Sequence, residues 1–122
     1  MSGFVKSVLT LALTVCADGT AYAHAYLLQS APAADAAVTA APDVLRLDFS
    51  EGIQLGFTGV TLHGPDGGIA RTGHARLAPK DDKEVLVPLS RVLTKGKYTV
   101  EWHALSKDGH TTRGSYDFSV AN

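Results

Sequence analysis

Apolar and polar residues alternate with period two through most of the chain after residue 24. This is the signature of half-buried β-strands, in which successive side chains point to opposite faces. From Val44 to Phe49, Leu45, Leu47 and Phe49 share one face while Arg46 and Asp48 share the other. Phe57 to His63 reads as a second extended run, closed by Gly64-Pro65-Asp66-Gly67-Gly68, where proline presets one dihedral and glycine admits positive φ. Val85, Val87 and Leu89 alternate with Glu84, Leu86 and Pro88, and Pro88 confines that strand to an edge or places itself at the strand's end. Lys95-Gly96-Lys97 turns into a strand with Tyr98, Val100, Trp102 and Ala104 on one face and Thr99, Glu101 and His103 on the other. The last strand, Ser115 to Val120, turns Tyr116, Phe118 and Val120 inward. Helix signals are nearly absent: only the alanine-rich stretch 33–41, bracketed by Pro32 and Pro42, could coil into a turn. The pattern predicts an all-β fold, an antiparallel β-sandwich of about seven strands, with no internal repeat and no second domain.

The first 23 residues break the pattern. Lys6 gives a positive start, Val8 to Ala17 is apolar and uncharged, and Ala21-Tyr22-Ala23 is a small-x-small cleavage site, so residues 1–23 read as a secretory signal and 24–122 as the mature domain. A membrane-spanning helix needs about 20 apolar residues, and this run stops well short, at Asp18-Gly19. A lipoprotein reading through Cys16 is weaker, because Val15 before it is bulky. The expected location is the periplasm, and the expected N-terminus is His24.

Composition then acquires a meaning. The 122 residues carry 11 Lys+Arg against 12 Asp+Glu, a balance that excludes a strongly basic nucleic-acid binder. The single Cys and single Met are Cys16 and Met1, both in the leader, whereas all five histidines lie beyond it. The mature domain therefore has no disulfide and no sulfur ligand, which excludes thiolate zinc sites and soft-metal sites.

Candidate chemistry sits in two places, His24 and the connection Ser106-Lys107-Asp108-Gly109-His110. An N-terminal histidine chelates as no internal one does, because its α-amine and its side-chain Nδ1 can hold one ion together. With the imidazole of His110 and the carboxylate of Asp108, the set would be three nitrogens and an oxygen, suited to a tetragonal Cu(II) ion and poorly suited to Cu(I). Gly109 permits the tight backbone that such a loop requires. The same residues also read as an ordinary hairpin turn and an incidental cleavage point. His103 reads as a solvated strand residue, and His63 and His74 as surface residues without a carboxylate at ligand spacing, so a weak second site at either stays open. Glu51, in Phe49-Ser50-Glu51-Gly52, reads as a strand end or as an acceptor behind a metal-bound imidazole. Trp102 and Tyr116 read as core aromatics.

At these residues the chain resembles the CopC family of periplasmic copper-binding proteins. The pieces that carry the resemblance are His24-Ala25, Ser30-Ala31-Pro32-Ala33, Ala41-Pro42, Leu47-Asp48-Phe49-Ser50-Glu51, the run from Gly96 to Trp102, Ser106 to His110, and Gly114 to Phe118. Their order and spacing are more specific than any one of them. The resemblance implies an Ig-like, Greek-key sandwich that binds one Cu(II) through a histidine brace. The implied ligands are the amine and imidazole of His24, the carboxylate of Asp108 and the imidazole of His110, with Glu51 nearby. It further implies a monomeric, non-enzymatic carrier or buffer in copper homeostasis, resistance or import, with a CopD-type inner-membrane importer as partner. Some relatives carry a Met-rich loop that binds Cu(I); the corresponding stretch here, roughly 62–76, has His63 and His74 but no Met, so no Cu(I) site is expected. Two other readings compete: a small copper oxidase similar to lytic polysaccharide monooxygenases, and a sandwich adhesion module without metal.

Overall fold

In the computed structural model, residues 24–121 are described; the leader expected over 1–23 lies outside them. Nine strands form two layers. Strand β1 is Leu27–Ala31, β2 Ala37–Val38, β3 Val44–Phe49, β4 Gly59–His63, β5 Ile69–Ala70, β6 Arg76–Ala78, β7 Asp81–Pro88, β8 Gly96–Leu105 and β9 Thr111–Val120. One sheet has the order β1-β3-β7-β6, the other β2-β9-β8-β4-β5. Every pairing is antiparallel except β2 with β9, which is parallel.

The alternation predicted from sequence forms the core between the layers. Leu45, Leu47 and Phe49 of β3 and Val85 and Val87 of β7 face Leu62 of β4, Tyr98, Val100 and Ala104 of β8, and Phe118 and Val120 of β9, all of them buried. Full burial of each Val, Leu or Phe side chain contributes about 1.5–3 kcal/mol, and the two inner faces interdigitate as in other sandwiches. Phe49 meets Trp102 edge-on at 5.2 Å, and Tyr98 stacks on Phe118 at 5.5 Å. Trp102 and Tyr116 are half-buried and pack against this cluster. Trp102 also lies over Gly114, where an added Cβ would come within 2.7 Å of the indole, so only glycine lets β9 pass beneath the ring.

Four expectations are corrected. The sandwich has nine strands rather than about seven, because β2, β5 and β6 are two or three residues long, too short for an alternating pattern to register. The sheets are not wholly antiparallel, because the stretch 33–41 contains β2: its Val38 and the preceding Ala36 accept bonds from the N–H groups of Ala121 and Ser119. Phe57 is not in a strand: it ends a short 3-10 turn, Leu55–Phe57, and is exposed. Leu86 is buried as well as its neighbours, because on the outer face its register partners are Arg46 and Arg76, residues whose aliphatic stems shelter apolar surface. Pro88 ends β7, a central strand, so the strand-end option holds. No helix among the described residues is long and apolar enough to cross a membrane.

Candidate metal centre

The turn between β8 and β9 is built around Ser106, fully buried and paired by a single bridge with Ile53. The Ser106 N–H donates to the His110 carbonyl at 2.9 Å, and the Gly109 N–H donates to the Ser106 carbonyl at 2.9 Å. Gly109 sits at φ 96°, the left-handed region where a side chain would be strained. The Ser106 hydroxyl bonds the Asp108 carboxylate and lies 3.2 Å from both the N–H and the carbonyl of His110. These contacts hold Asp108 and His110 on one side of the turn, and Asp108 Oδ1 reaches His110 Nδ1 at 3.3 Å. The Ser106 bond, reinforced by His110, holds the Asp108 carboxyl below the usual carboxylate range.

A second set of bonds fixes the turn to the body. Gln54 donates from its backbone to Leu105 and from its side chain to the Ser106 carbonyl, and the Lys107 N–H donates to Gly52. Lys107 Nζ lies 2.6 Å from Asp82 at the start of β7 and holds that carboxyl below its ordinary value.

His24 enters from the other sheet. The Ser50 hydroxyl, just past β3, donates to the His24 carbonyl at 3.1 Å and accepts from the Tyr26 N–H at 2.9 Å, while the Ser50 N–H donates to the Tyr26 carbonyl. Ala25 is wholly buried, and its carbonyl accepts the Thr112 hydroxyl of β9 at 2.7 Å. The His24 carbonyl and the two residues that follow it are thus tied, and the His24 imidazole faces that of His110 with centroids 4.8 Å apart. Tyr26 completes the edge: its hydroxyl is 3.3 Å from His24 Nδ1.

His24 therefore meets Asp108 and His110, more than 80 positions further along the chain, at one end of the sandwich. Their side chains alone do not close a metal site: among the described residues, no three His, Cys, Asp or Glu side chains are grouped to hold an ion. What they offer is two facing imidazoles and one carboxylate. These are nitrogen and oxygen donors, of the kind that suit divalent transition metals. Glu51 is exposed, and its neighbour Ser50 makes the bonds to the His24 segment. The supporting roles of Ser50, Ser106 and Thr112 escaped the sequence reading; the one local signal was Ser106 two residues before Asp108, a spacing that side-chain-capped turns favour.

The other histidines lie elsewhere. His63 on β4 bonds Glu101 on β8 at 2.8 Å, so it does have a carboxylate, supplied across strands rather than along the chain. His103 is exposed and its ring lies against Gly59; His74 is exposed beyond β5.

The two-layer architecture, with two imidazoles and a carboxylate gathered at one end, places the chain among the β-sandwich proteins. The chain matches the CopC domain over residues 27–121 and belongs to the CopC family, whose members handle copper. It is 42% identical over 116 residues to protein YobA of Escherichia coli K12, covering 95% of this chain and 94% of that one. Its fold superposes on the crystal structure of CopC from Methylosinus trichosporium OB3b with a TM-score of 0.75 at 28% identity, covering 80% and 94% of the two chains. It also superposes on PcoC, a methionine-rich copper resistance protein from Escherichia coli, with a TM-score of 0.70 at 33% identity, covering 80% and 99%.

Proposed function

We propose that the protein, cleaved after Ala23, is a periplasmic Cu(II) carrier that holds one ion through a histidine brace and does no catalysis. The observation that carries this reading is the facing pair His24 and His110, with Asp108 bonded to the second ring. Cleavage would turn the His24 backbone nitrogen into an amine, and amine and Nδ1 together chelate from one residue. Asp108 Oδ1 lies 3.3 Å from His110 Nδ1 and holds that ring beside His24; to serve as the oxygen donor, the carboxylate would give up this contact and turn to the ion. Ser50 and Thr112 hold the His24 segment in place before copper arrives, so little ordering remains to be done on binding. Amine and imidazoles must be unprotonated to bind, so affinity falls as pH drops through the range where imidazoles titrate. The absence of Met and Cys beyond residue 23 supports a Cu(II) carrier without a Cu(I) site, in contrast to methionine-rich PcoC. The balanced charge supports copper rather than nucleic acid as cargo, and a CopD-type importer is the partner to which a monomeric carrier would pass it.

The test is the N-terminus itself. Trp102 shares a cleft with Tyr26 and Thr112, so its fluorescence reports copper at this end. Protein beginning at His24 should bind one Cu(II) tightly, and the same protein with Met ahead of His24 should lose that tight site. Equal affinity of the two forms would remove the brace.

A further inference from the structure

His24 Nδ1 is the nitrogen that can chelate with its own residue's amine, because Nε2 is on the far side of the ring. In this structure that nitrogen has a partner, the Tyr26 hydroxyl at 3.3 Å, and the two rings meet edge to face at 5.9 Å. Tyr26 is not held there by burial: 57% of its surface is exposed. Its backbone is fixed instead, by the two bonds to Ser50. The fold thus places a phenol with a fixed root and a free ring beside the one lone pair the brace needs. A neutral imidazole that accepts at Nδ1 carries its proton on Nε2, the tautomer whose Nδ1 is free to take a metal.

Resting on the brace reading above, we propose that Tyr26 is a positioning residue that occupies the His24 Nδ1 lone pair whenever copper is absent, and so eases copper release. The phenol O–H donates to Nδ1 in the empty protein and gives the lone pair up when the ion binds. As the ion leaves, the hydroxyl takes its place, so the nitrogen passes from one partner to the next and is never left unpaired in a partly desolvated corner. A hydrogen bond present only in the empty state stabilises that state, which loosens the loaded one. A neutral hydrogen bond of ordinary net strength corresponds to about a two- to tenfold change in affinity. The carrier therefore holds copper less tightly than its donor set alone would allow, as delivery to an acceptor requires.

Tyr26→Phe keeps the exposed ring and removes the hydroxyl. In copper-free protein starting at His24, imidazole nitrogen-15 NMR should show an unprotonated Nδ1 that accepts a hydrogen bond, with a shift altered in Tyr26→Phe. Transfer of Cu(II) to a competing chelator should be about two- to tenfold slower from Tyr26→Phe than from the native sequence, with affinity raised in proportion. A proton on His24 Nδ1 in the native protein, or equal release by both, overturns the role of Tyr26 and leaves the brace intact. Absence of tight Cu(II) binding by both proteins overturns the brace and this proposal together.

Discussion

Two histidine–carboxylate pairs belong to the same five-stranded sheet, and they differ in what surrounds them. His63 and Glu101 make the closer contact, 2.8 Å, across adjacent strands β4 and β8. His110 and Asp108 are 3.3 Å apart in the turn that follows β8. By distance alone the first pair looks more like a site. Yet it lies on the outer face of the sheet, with threonines, Lys97 and a glycine turn around it, about 13 Å along β8 from the end that holds His110. The second pair has a buried serine beneath it and a second imidazole 4.8 Å away, brought from the other sheet. Convergence of separately anchored donors, and not the closeness of any two, separates the candidate centre from a surface ion pair, whose contribution is small.

The largest expected effect that tests this contrast comes from deleting each ring in turn. In protein beginning at His24, His110→Ala should weaken Cu(II) by more than about 100-fold, beyond what loss of an outer-shell partner costs, and remove a nitrogen from the copper electron paramagnetic resonance spectrum. His63→Ala should leave both unchanged. Equal losses from the two variants would mean that the 2.8 Å pair is part of the centre. Asp108→Asn comes next, with a loss of about 10- to 100-fold, because an amide still bonds the His110 ring while supplying only a neutral oxygen. An affinity equal to that of the native protein would take Asp108 out of the centre.

The smallest effect concerns the support under the turn. Ser106→Ala removes a buried hydroxyl and should cost about 1–3 kcal/mol in denaturant unfolding. The same change should raise the Asp108 carboxyl toward 3.8, since Ser106 is the main group holding it down. A carboxyl with a lowered folded value contributes stability that is complete above its unfolded value and lost as pH falls through the folded one. The Asp108 share of the Ser106→Ala deficit should therefore be present at neutral pH and shrink in acid. A deficit of the same size at both extremes would assign the whole effect to packing.

The long strands were legible in the sequence because β3, β7, β8 and β9 each run far enough for alternation to show. The short strands were not: β2 exists because its backbone completes the edge of β9, a tertiary cause that leaves no local mark. The candidate centre was legible in its donors and illegible in its supports. His24, Asp108 and His110 are chemically conspicuous, whereas Ser50 and Thr112 are common residues that matter only through partners 24 to 87 positions away. The bond between His63 and Glu101 was missed for the same reason, since it depends on the register of β4 against β8.

The anchoring of the His24 segment has a mechanical side. Ser50 follows β3 of one layer, while Thr112 and His110 belong to β9 and the turn before it in the other. An ion gripped by both imidazoles would rivet the two layers at their open rim. Many small sandwiches entrust that task to a buried cystine, and beyond residue 23 this chain has no cysteine with which to make one. Loading and unloading of cargo would then switch the cross-brace of the whole barrel-like stack on and off, and the rim would loosen at the moment of delivery.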